Sequence, residues 1–149
     1  MGLKTQLQNE LTAAMRAQAG QRRDVLRMVL TAIKEEEVAK GRELDEAELQ
    51  AILMTQAKRR RETIADAERA GRPEMVAREQ EEIAIIQDYL PEQLGRDELR
   101  ALAAEAISEV NATGMSQMGQ VMGRLMPRVK GRAEGQVVSE VVRDLLQSR

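Results

Sequence analysis

Leu3, Leu7, Leu11 and Met15 recur at every fourth position. That spacing predicts a first helix with one apolar stripe, ending near Gly20. A second helix is expected from about Arg22 to Lys40, with Val25, Leu26, Val29, Ala32 and Ile33 inward and Gly41 as the residue that ends it. Asp45 is placed to cap a third, because its carboxylate can accept an orphan backbone N–H. Its inner face is Leu49, Ile52, Leu53, Ala57, Ile64 and Ala67, and Gly71 stops it. Such a helix of about 25 residues is roughly 37 Å long at about 1.5 Å per residue. Pro73 suits the first turn of a fourth, lined by Met75, Val76, Ile83, Ile86 and Tyr89. Pro91 ends that run, and Leu90-Pro-Glu-Gln-Leu-Gly95 reads as a linker or tight corner. Three shorter helices are expected beyond it. Asp97 would cap the first, Ser116 the second over about Gln117 to Met126, and the third spans about Gly135 to Leu146. The predicted fold is therefore all-α: a bundle of about four helices over residues 1–90, then a small three-helix tail over 91–149.

Composition narrows the chemistry. With no histidine and no cysteine, the chain holds no Ser-His-Asp or Cys-His apparatus and no thiolate or imidazole metal site. Carboxylates remain, in Glu35-Glu36-Glu37 and around Glu79 to Glu82, but nothing in the pattern brings two of them to one cleft at unequal pKa. No catalytic residue, metal or cofactor is expected. Neither a Walker A sequence nor a Gly-x-Gly-x-x-Gly turn offers a nucleotide cradle. Tyr89 is the only aromatic, which argues against stacking of unpaired bases; nine methionines take the usual place of aromatics in the core. Tyr89 itself is expected at the joint, ring buried and hydroxyl wet. A net charge of −2, the lack of a long apolar run and the polar start Met1-Gly-Leu-Lys-Thr-Gln6 point to a cytoplasmic protein without a membrane anchor.

One stretch departs from the mixed charge of the rest. Residues 114–135 hold five glycines, Pro127 and the cations Arg124, Arg128, Lys130 and Arg132, and no acid occurs from 110 to 133. Clustered cations suit phosphates, and glycines allow close backbone approach. Arg124, Arg128, Lys130, Gly131 and Arg132 are the candidate phosphate-binding residues. Met118, Val121, Met122, Leu125 and Met126 are expected to be core, with Gly119 and Gly123 as a face on which helices pack closely. Lys58, Arg59 and Arg60 form a secondary basic group within Lys58-Arg-Arg-Arg61, although neighbours splayed by about 100° on a helix cannot share one face.

Tyr89-Leu-Pro-Glu-Gln-Leu94, then Met118-Gly-Gln-Val-Met-Gly-Arg-Leu-Met-Pro127 and Lys130-Gly-Arg-Ala-Glu-Gly135, resemble the YqeY family. Leu26-Arg-Met28, Ala32-Ile-Lys34, Lys58-Arg-Arg-Arg-Glu-Thr63 and Ala70-Gly-Arg72 agree in order, so the resemblance covers essentially the whole chain. Ser139 stands where the pattern often has Asn, and Glu134 where the tail turn usually has Asp. The resemblance implies an all-helical protein whose tail is similar to that of the GatB subunit of glutamine-dependent Asp/Glu-tRNA amidotransferase. It implies a non-catalytic accessory that binds tRNA or associates with an amidotransferase or tRNA-charging complex. A protein-assembly role without RNA is the alternative, and a carbon-nitrogen ligase component using glutamine as nitrogen donor is a third.

Overall fold

The capping box predicted at Asp45 sets the start of the longest helix. Asp45 Oδ1 accepts from the Glu48 N–H at 2.8 Å, and Glu48 Oε1 accepts from the Asp45 N–H at 3.1 Å. Two orphan donors are thus satisfied reciprocally. In the computed structural model, which describes residues 2–148, this helix is α3, Glu46–Arg69. Before it come α1, Leu3–Arg16, and α2, Gly20–Lys40; after it comes α4, Pro73–Gln87. Then follow α5, Arg96–Glu109, α6, Met118–Val129, and α7, Gly135–Gln147, with a single 3-10 turn at Met115–Gln117. The described residues are all-α, with no strand. Gly41 and Gly71 end α2 and α3 with φ of +70° and +68°, where a side chain would be strained.

The chain forms two compact units, the first through Pro91 and the second from Glu92. In the first, α1 packs along α2 and α3 along α4. Its core is built on Leu7, Leu26, Val29, Ile33, Leu53 and Ile86. Cutting a buried leucine such as these to alanine costs about 2–5 kcal/mol. In the second, α5, α6 and α7 pack pairwise around Leu99, Ile107, Val121, Leu125, Val142 and Leu146.

The structure departs from the expected pattern in places. Met15 is exposed and Ala14 is buried instead. A spacing of four rotates the stripe by about 40° at each step, so three steps carry Met15 far from Leu3 around the helix. Met75 is also exposed, close to the turn between α3 and α4. Gly95, rather than Asp97, precedes α5, and its N–H reaches Glu98 Oε1 at 3.2 Å. Ser116 lies within the 3-10 turn instead of capping α6. That helix continues through Pro127 to Val129, although Pro127 has no N–H to return to the Gly123 carbonyl. Tyr89 is buried as expected, but its hydroxyl is not left to solvent: it accepts from Arg22 Nη1 at 2.5 Å.

Candidate nucleic-acid interface

Helix α6 is strongly two-sided. Val121, Leu125 and Val129 are fully buried, and Met118, Met122 and Met126 pack partly buried beside them. The opposite side carries Gly119, Gln120, Gly123, Arg124 and Pro127, all exposed. The sequence reading of Gly119 and Gly123 as an internal packing face is therefore overturned. A Cβ placed on either glycine would meet no atom within 4 Å. Their spacing of four does put them on one face, but the apolar residues one and two positions away claim the interior.

Arg124 and Arg128 meet at one acid that lies just outside the acid-free stretch. Arg128 Nη2 donates to both carboxylate oxygens of Glu109, at 2.7 and 2.6 Å. Arg124 Nε lies 3.0 Å from Glu109 Oε2. Hydrogen bonding from Arg128 comes first in holding the Glu109 carboxyl below its ordinary range, and the same bond raises Arg128. Glu109 therefore stays a carboxylate and aligns two guanidinium groups side by side at the edge of the glycine face. Because these groups lie at the surface, where water screens them, the pairing is weak and gives way readily to another anion.

The turn after α6 is stitched inward. Lys130 is exposed, but Gly131 is buried with φ +78°. The Gly131 carbonyl accepts from Gln93 Nε2 at 2.9 Å, and the Arg132 carbonyl accepts from the Leu94 N–H at 2.8 Å. Arg132 Nε donates to the Glu92 carbonyl at 3.2 Å. Of the five tail candidates, Arg124, Arg128 and Lys130 present cationic groups outward, while Gly131 and Arg132 also hold the turn to the start of the second unit.

The secondary group divides. Lys58 and Arg59 are exposed on α3, whereas Arg60 is only 6 % exposed and is withdrawn from any surface role. The helical rotation that prevents four adjacent residues from sharing a face turns this one inward. Its Nη1 donates to the Gln56 carbonyl and to Gln56 Oε1, both at 3.1 Å, and Glu82 Oε2 lies 3.7 Å from Nε.

Among the described residues no group of three or more acidic side chains is arranged to hold a metal ion, and no helix is long and apolar enough to cross a membrane. A family model described as Yqey-like protein matches residues 4–146. The chain is also similar to "altered inheritance of mitochondria protein 41, mitochondrial" of Lachancea thermotolerans, at 34 % identity over 85 residues. That alignment covers 56 % of this chain and 46 % of the relative, so it spans less than half of the relative's length.

Proposed function

This chain belongs to the YqeY family, and from that premise we propose that it is a non-catalytic accessory module that binds the phosphate backbone of tRNA through α6 of its second unit. One observation carries the reading: the exposed face of α6 has no side chain at Gly119 or Gly123, and nothing among the described residues fills the space a Cβ would take. Exposed glycines inside a helix cost about 0.5–1 kcal/mol each relative to alanine. With no internal packing to offset that cost, close approach by an outside backbone is a physical reason for them. Arg124, Arg128 and Lys130 beside that face supply the charge. With Tyr89 buried as the sole aromatic, recognition would rest on backbone and shape rather than stacked bases. The resemblance of the tail to that of GatB points the same way, with the chain serving an amidotransferase or tRNA-charging complex whose chemistry resides elsewhere.

The test is a salt titration of binding to bulk deacylated tRNA, comparing the whole chain with Arg124→Glu/Lys130→Glu. The natural chain should lose affinity linearly in log–log form as salt rises. The variant should bind at least about tenfold more weakly with a shallower slope. Equal binding by both, or none by either at low salt, would remove the RNA reading. Met115, exposed in the turn before α6, favours a protein partner as the second reading. Co-purifying proteins that survive nuclease treatment and are lost when Met115 is made polar would then replace tRNA as the ligand.

A further inference from the structure

Three helices of the first unit meet at a cation that is short of acceptors. Arg60 extends from α3 toward Met28 of α2 and Glu82 of α4. A guanidinium has five N–H donors. Nη1 uses its two on Gln56. Nε has no hydrogen-bond partner among the described residues, Glu82 being 3.7 Å away. Nη2 faces Met28 Sδ at 3.6 Å, and a thioether is a weak acceptor. At 6 % exposure, weakly met donors are costly. Met28 differs in one respect: the residue is 54 % exposed, so solvent-borne oxidants reach the side chain whose sulfur touches a buried cation.

We infer that Met28 is a reversible oxidation site whose sulfoxide oxygen is captured by Arg60, tightening the junction of α2, α3 and α4. A peroxide-class oxidant transfers one oxygen atom to the sulfur lone pair. The O–O bond breaks, an S–O bond forms, sulfur is oxidised by two electrons, and the other peroxide oxygen leaves as water or an alcohol carrying the proton. The product replaces a weak acceptor with a strongly polar S=O opposite Nη2. Rotation about the terminal bonds of methionine allows the oxygen to reach hydrogen-bond distance. Methionine oxidation commonly disrupts cores because it makes an apolar side chain polar. Here the side chain is already half in water, and the group it touches is a donor, so the sign reverses. A thiol-dependent sulfoxide reductase would restore the thioether. Arg27 and Met15 form a similar pair at 3.9 Å, but both are exposed and Arg27 has solvent to bond with, so the gain there is small. Met75 and Met115 are exposed as well and serve as references for the extent of oxidation.

The experiment treats the full chain and Met28→Leu with dilute hydrogen peroxide, follows each methionine by peptide mass mapping, and compares melting before and after. Met28 should convert together with Met75 and Met115. The change in Tm on oxidation should then be more favourable in the natural chain than in Met28→Leu, by on the order of 4 °C. An equal or less favourable change in the natural chain, or a Met28 that stays reduced while Met75 and Met115 convert, overturns the inference. Arg60→Lys, which keeps the charge with fewer and shorter-reaching donors, should abolish the difference; if that variant does not fold, the Met28→Leu comparison decides alone.

Discussion

Glu109 is the residue on which the proposed interface turns. It gathers Arg124 and Arg128, yet it is also an anion at the place where a phosphate would bind. Replacing it by glutamine keeps the shape and an acceptor but removes the competing charge. Glu109→Gln should therefore bind tRNA about fivefold more tightly, the equivalent of a surface ion pair no longer broken on binding. Weaker binding by this variant would mean that Glu109 positions the arginines more than it competes. The four cations of the tail were legible in the sequence as one charge-biased run. Glu109 was not, because it sits on another helix and is joined to Arg124 and Arg128 only when α5 packs against α6. Arg60 shows the converse. The sequence presents it as one of four adjacent cations, and only the direction of the helix face separates it from Lys58 and Arg59.

Most helices were legible from spacing and end signals: Asp45, Gly41, Gly71 and Pro73 act where local chemistry places them. The element that was misread is α6. Its apolar side was correct, but glycines four apart were assigned to packing when the inward positions were already taken. Neither glycine has positive φ, and both have open space for a methyl group. Gly119→Ala and Gly123→Ala should each stabilise the chain by about 0.5–1 kcal/mol, read as a higher urea midpoint with unchanged slope. The same substitutions should weaken tRNA binding, and Gln at both positions should weaken it further. Stabilisation with binding intact would leave the glycines without a recognition role.

Across the whole molecule, charge is balanced locally rather than accumulated, and the carboxylates decide how stability responds to acid. The Glu48 carboxyl is held far below the usual range, first by hydrogen bonding from Arg42, then by Lys40 and the Asp45 N–H. Glu37 is lowered chiefly by Lys4, then by the Leu44 N–H, and Glu109 chiefly by Arg128. A carboxylate with a depressed folded-state pKa favours folding above its unfolded pKa, and that contribution is lost as pH falls toward the folded value. With no histidine side chain to titrate near neutrality, Tm should stay flat from about pH 7 to 5.5 and decline below about pH 4. A midpoint of loss near pH 6 would contradict this assignment. Tyr89 lets the decline be followed in one unit at a time. It is the only aromatic side chain in the protein, and it is buried in the first unit with its hydroxyl and ring against Arg22. Ultraviolet emission and near-ultraviolet dichroism therefore originate there alone, and the second unit is optically dark. Helical far-ultraviolet signal, by contrast, sums over both. Where the two signals separate during denaturation, the first unit has been observed unfolding without any label, and whatever helix signal remains beyond its transition belongs to the tail.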